Sequence, residues 1–175
     1  MNLREPNKRE LKVIRNALRF FGSLDFLNDY VILIKEGEKK EAYALTKDLW
    51  EFLKDKKINF TSAGVKIGEV GKRFRFTVEG AFWLVRRRKR VWVNEKGEML
   101  FLYGRDLFAS SILRTEDFKE NEVVFICNRD GDIIGIGKSR YDSDKIKDLE
   151  GNRVVIENLI DRGEYIRRDR LYKAF

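Results

Sequence analysis

Leu11, Ile14, Leu18 and Phe21 recur at spacings of three and four, which puts them on one face of a helix over residues 7–21, with Gly22 placed to end it. The pattern then changes. Tyr30-Val31-Ile32-Leu33-Ile34 reads as a buried strand, Gly37 marks a turn, and Ala42-Tyr43-Ala44-Leu45 returns as the hairpin partner. Thr46 is placed to cap a second helix, with Asp48 in its first turn and Leu49, Trp50, Phe52 and Leu53 as a broad apolar face. Two stretches of period two follow, over 65–70 and 74–78, and then a third helix over 79–88 that carries Ala81, Phe82, Leu84 and Val85. From Arg90 onward, turn residues interrupt short apolar runs about every eight to twelve positions, the spacing of a barrel or sandwich. Asp130-Gly131 joins two of those runs, 123–128 and 133–138, as a hairpin. The second run, Ile133-Ile134-Gly135-Ile136-Gly137, puts glycine inside a strand, where another group can approach the backbone closely. A short helix is expected over 107–113, and Arg167 and Arg168 are expected beside the last strand. The fold class is α+β, with a small α/β half over residues 1–89 and a half of short strands over 90–175 that ends in a short basic tail.

Composition adds a partner and removes several chemistries. Of 175 residues, 43% are hydrophobic, enough for a buried core, while charged residues reach 38%. Lys and Arg outnumber Asp and Glu by 37 to 29, a net charge of +8. Either a polyanionic partner or a surface laced with ion pairs produces that balance. No run of apolar residues is long enough to cross a membrane, and the first ten residues lack the apolar core of a signal peptide, so a cytoplasmic protein is expected, nucleolar if the source is eukaryotic. There is no histidine and one cysteine. The usual general base, an internal disulfide and a multi-cysteine zinc site are all excluded.

Neither a metal nor a cofactor is expected. The loop after Asp142 lacks the sixth-position glycine and twelfth-position glutamate of a calcium loop. Gly68-Glu69-Val70-Gly71-Lys72-Arg73 lacks the spacing and the Lys-Ser/Thr ending of a phosphate loop and reads as a hairpin. Cys127 falls mid-strand, where it packs as a small hydrophobe rather than acting as a nucleophile. The chain does not read as an enzyme.

The candidate binding residues are basic. Arg86, Arg87, Arg88, Lys89 and Arg90 are five consecutive cations, suited to RNA phosphates or, alternatively, to the negative end of the preceding helix. Arg167, Arg168 and Arg170 could grip phosphates or guard a sheet edge. Lys138, Arg140, Lys145 and Lys147 surround a loop whose charge Asp142, Asp144 and Asp148 dilute. Gly104-Arg105 could present backbone N–H groups to a phosphate at a helix start, or simply make a turn. Trp83 and Trp92 sit in apolar periodic segments and are expected in the core. Trp50, Phe52 and Phe60 become protein-docking candidates only if exposed.

The order of these signals is similar to a known arrangement. Gly64, Gly68, Lys72, Phe74, Arg75, Ala81 and Leu84 precede Val91-Trp92-Val93, Glu98, Phe101-Leu102-Tyr103-Gly104, Ser110 and Arg114, and the series ends with Gly163-Glu164-Tyr165-Ile166-Arg167-Arg168. This resembles the ribosome-biogenesis family whose yeast member is called Nip-seven, an α/β pre-PUA domain fused to a C-terminal, mixed-strand PUA β-barrel. The RNA-binding domain of NOL/NOP/Sun-type RNA cytosine-five methyltransferases is also similar, through Gly64-Val65-Lys66-Ile67-Gly68-Glu69 and Gly135-Ile136-Gly137-Lys138. The tail, residues 169–175, departs from both. The first resemblance implies a non-catalytic protein that binds ribosomal RNA during rRNA processing or subunit assembly. It also implies a protein partner from the ribosome-assembly, exosome or RNA-modification machinery. The second implies a stand-alone RNA-binding accessory of an RNA-modifying enzyme. By motif, the resemblance to PUA domains puts Gly104, Arg105, Ser110, Lys138, Arg140, Arg167 and Arg168 near RNA.

Overall fold

Asn7 starts the first helix, α1 (Lys8–Phe21), with its own side chain, which accepts the backbone N–H groups of Arg9 and Glu10, while the Glu10 carboxylate accepts the Asn7 N–H at 2.9 Å. The computed structural model describes residues 3–54 and 63–168, and the chain divides into two compact units, Met1–Arg86 and Arg87–Phe175.

In the first unit, β1 (Leu3–Arg4), β2 (Tyr30–Lys35), β3 (Lys40–Thr46), β4 (Val65–Val70) and β5 (Phe74–Phe76) form an antiparallel sheet in sequence order. Strand alternation gives it two apolar faces. Ile32, Ile34, Ala42, Ala44 and Ile67 pack against Ile14 and Leu18 of α1 and Leu84 of α3 (Val78–Leu84). Leu33 and Leu45 face the other way, onto Trp50 and Leu53 of α2 (Lys47–Lys54). Those two residues of α2 lie about one turn apart. Leu49 is exposed and Phe52 is 61% exposed, so the broad apolar face read from the sequence is mostly turned to solvent.

The third helix ends earlier than its expected limit of 88. Its last residue is Leu84, and after the buried cap residue Val85 only cations follow, with nothing apolar to anchor another turn. The chain instead bends through Arg88 and Lys89, both at positive φ (70° and 56°). Likewise β5 stops at Phe76, because Thr77, although its N–H still donates to Ile67 of β4 at 3.1 Å, caps α3 by accepting the Gly80 N–H at 3.0 Å.

The second unit contains β6 (Arg90–Val93), α4 (Glu95–Leu102), β7 (Leu107–Phe108), β8 (Ile112–Thr115), β9 (Val123–Cys127), β10 (Ile133–Ser139), β11 (Val154–Asp161) and α5 (Gly163–Arg168). The sheet runs β7-β11-β10-β9-β6-β8, and β6 with β9 is its parallel pair. Its edge strands, β7 and β8, are joined by one short 3-10 turn, Ala109–Ser111. The four residue steps from Phe108 to Ile112 span at most roughly 14 Å, whereas six strands laid flat would separate their edges by roughly 24 Å. The sheet must therefore curl until its edges approach, which makes it a half-barrel around Phe101, Leu107, Val124, Ile126 and Ile156.

Two expectations for this unit are corrected. Residues 107–113 are strand, 3-10 turn and strand, and the helix lies earlier, at α4, where Asn94 accepts the Gly97 N–H at 2.8 Å and Glu95 and Glu98 occupy the first turn. The last strand ends at Asp161, so Arg167 and Arg168 belong to a helix and do not alternate across a sheet. The glycine-bearing strand behaves as expected. A Cβ on Gly135 would lie 2.5 Å from the Phe101 ring, so only hydrogen leaves room for that ring.

Candidate nucleic-acid interface

Gly104 closes α4 at φ 79°, a left-handed position at the electronegative end of the helix. This corrects the reading of Gly104-Arg105 as a helix start, because their N–H groups donate to Phe101 and Leu100 carbonyls at 2.9 and 3.0 Å and are not offered outward. The turn instead presents side chains. Tyr103 is 69% exposed, and Arg105 is exposed with no ion pair among the described residues.

Asp106 fastens this turn to β11 by accepting the Asn158 N–H at 2.9 Å, and the Asn158 amide donates to the Phe101 carbonyl at 2.8 Å. One strand further, Lys138 pairs in register with Glu157 and is half-buried. Arg140 donates to Glu157 at 3.0 Å and lies 3.7 Å from Asp106. Tyr103, Arg105, Lys138 and Arg140 therefore share one ridge, and Asp106 and Glu157 moderate its charge.

Arg167 is engaged internally. It donates to both carboxylate oxygens of Asp161 at 3.0 and 2.8 Å, and also to the Leu102 carbonyl. Asp161, the last residue of β11, is 1% exposed, so the pair fastens α5 to the end of that strand and the Leu102 bond fastens it to the end of α4. Arg167→Gln is expected to speed amide hydrogen exchange across residues 163–168, measured by mass spectrometry. Unchanged protection there would refute this role. Arg170 and the side chain of Arg168 lie outside the described residues.

The run 86–90 finds carboxylates within its own units. Arg86 pairs with Asp25 at 2.8 Å, Lys89 with Glu122 at 2.8 Å, and Arg90 with Glu116 at 2.7 Å, while Arg87 and Arg88 are exposed in the turn. Lys145 lies 3.5 Å from Asp142. Ser110 and Lys147, distant in sequence, come together along one cleft with Arg114, which sequence reasoning did not single out as a contact. Arg114 stands opposite Trp92 in the β6–β8 register, with its guanidinium 3.6 Å from the ring centre.

The remaining aromatic and sulfur residues divide. Trp92 is in the core as expected, but Trp83 is 36% exposed and meets Phe26 and Tyr30 edge-on. Phe52 meets the exposure condition set for docking, Trp50 is half-buried, and Phe60 lies outside the described residues. Burial pushes the Cys127 thiol up to about 12, which opposes formation of a thiolate nucleophile. No helix among the described residues is long and apolar enough to cross a membrane.

Comparison with known proteins matches both units. The model of the UPF0113 PUA domain matches residues 89–170, and that of the NIP7/UPF0113 pre-PUA domain matches residues 3–78. A UPF0113 protein from Archaeoglobus fulgidus is 56% identical over 100% of both chains. The 60S ribosome subunit biogenesis protein NIP7 of Saccharomyces cerevisiae is 22% identical over 94% of this chain and 96% of its own. Among solved structures, a conserved PUA domain protein from Thermoplasma acidophilum superposes with a TM-score of 0.68 at 18% identity, covering 95% of this chain and 99% of its own. The protein PH0734.1 from Pyrococcus horikoshii gives 0.64 at 16% identity, covering 98% of each.

Proposed function

Because this chain belongs to the UPF0113 family, with a pre-PUA region followed by a PUA domain, we propose that it is a non-catalytic RNA-binding protein that assists ribosome biogenesis, with ribosomal RNA as its ligand. The naming of its NIP7 relatives as 60S ribosome subunit biogenesis proteins supports the pathway. The observation that carries RNA contact is the ridge of Tyr103, Arg105 and Lys138, where an exposed aromatic ring stands among cations that make no ion pair among the described residues. Phosphates meet Arg105 and Lys138, and an unpaired base stacks on Tyr103. Residues 90–175 bear the RNA-binding role, and residues 1–89 leave the exposed Phe52 for a protein partner of the assembly machinery. The buried Cys127 argues against a cysteine nucleophile.

The test is equilibrium binding of the full chain to single-stranded RNA across a salt series. Each phosphate contact contributes about −0.7 to the log–log slope, so Arg105→Gln with Lys138→Gln should flatten the slope by about 1.4. Tyr103→Ala should weaken binding about tenfold with the slope unchanged. No salt-dependent binding by the wild type, or identical slopes for the wild type and the double variant, would remove the reading.

A further inference from the structure

Elsewhere in the second unit, segments 109–115 and 143–151 enclose a cleft of about 340 Å³. One wall is the 3-10 turn holding Ser110 together with edge strand β8. The other is the loop that carries Ser143, Ile146 and Lys147. Several cations elsewhere on this unit are answered: Lys89 by Glu122, Arg90 by Glu116, Arg140 by Glu157, Arg167 by Asp161. In the cleft they are not. Arg114 and Lys147 make no ion pair among the described residues, and no carboxylate lines the walls, although the chain carries 29 acidic residues. The Trp92 ring orients the Arg114 guanidinium without neutralising it.

Beside these charges Leu113, 51% exposed on the edge strand, offers an apolar surface, and the two serines supply hydroxyls. The volume falls at the small end of ligand sites, about 300–1,000 Å³, which suits one nucleotide and not a duplex. We propose that this cleft takes a single unpaired nucleotide of a bound RNA strand, its base against Leu113 and its phosphate between Arg114 and Lys147. The inference rests on the RNA-binding reading above and adds a second contact point, built from different residues.

The experiment uses the full chain and a single-stranded RNA oligonucleotide carrying 4-thiouridine. Irradiation should join the nucleotide to Leu113 or an immediate neighbour, mapped by mass spectrometry, and Lys147→Gln should weaken binding about fivefold. Arg114→Gln should do at least as much. Because Arg114 also packs on Trp92, the exposed Lys147 serves as the variant that leaves the fold alone. If Lys147→Gln and Arg114→Gln bind as wild type and no crosslink falls at 112–114, while Arg105→Gln with Lys138→Gln still weakens binding, the cleft is overturned and the ridge stands. If the wild type binds no RNA, both fall together.

Discussion

Phe101→Ala should lower the unfolding free energy of the second unit by about 3–5 kcal/mol, the cost of emptying a large aromatic site from a packed core. Phe101 is wholly buried and heads the largest of the fully buried side chains. Its ring lies over Gly135, which has no side chain to move into the space, so the cavity cannot collapse from that side. The backbone at the same residue is also in use. The Phe101 carbonyl accepts the Asn158 amide at 2.8 Å and the Gly104 N–H at 2.9 Å, so loosening α4 also loosens the turn that presents Tyr103 and Arg105. The check is urea denaturation read by hydrogen exchange in β9 and β10, followed by RNA binding at a temperature where the variant remains folded. A loss below about 1 kcal/mol would mean that the site refills and that Phe101 does not anchor the helix. Weakened RNA binding by the folded variant would tie the ridge to this core residue.

Elements with a clean period could be read from the sequence. The first helix has its 3.6-residue stripe with Asn7 and Gly22 at its ends, and Asp130-Gly131 marks the β9–β10 hairpin. The helix α4 lacked such a stripe, because Met99, Leu100, Phe101 and Leu102 are contiguous and give no spacing to count. Its signal was the cap, Asn94 followed by Glu95 and Glu98. At the C-terminal end, Arg167 and Arg168 were expected beside the last strand, yet the segment is helix α5, held where Arg167 meets the buried Asp161. The candidate site divides the same way. Cations are visible in a sequence, but the carboxylates that answer them are not. Glu116, Glu122 and Glu157 reach Arg90, Lys89 and Arg140 only once the strands pair. Arg114 was visible as a charge in an apolar strand, and only the β6–β8 register shows that it stacks on Trp92. Family likeness supplied what periodicity could not, the order of a pre-PUA half and a PUA half, but it did not mark α4 or α5 as helices.

In the first unit, acid should act through Glu10. This carboxylate is 4% exposed and accepts from Arg4 at 2.7 and 2.9 Å, from Lys40 at 2.8 Å and from the Asn7 N–H at 2.9 Å. The Arg4 hydrogen bonds hold its pKa down at about 2, against an ordinary value near 4.5, and Lys40 and Asn7 add to the effect while burial opposes it. A group whose pKa is depressed on folding stabilises the fold fully above its unfolded pKa and loses that contribution as pH falls through the folded one. The window therefore runs from about pH 5 down to about pH 2. At about 1.4 kcal/mol per pKa unit, and discounted because Arg4 and Lys40 are half in water, the effect is about 2 kcal/mol. Glu10→Gln should therefore be less stable than wild type by about 2 kcal/mol at pH 7, and the two should converge near pH 2. Hydrogen exchange in Lys8–Phe21 across that range reads the difference directly. Asp25 and Glu41, also depressed by their basic neighbours Arg86 and Lys66, titrate alike in both proteins and cancel. Parallel pH curves for wild type and variant would show that the Arg4–Glu10–Lys40 cluster contributes nothing to holding α1 against the sheet.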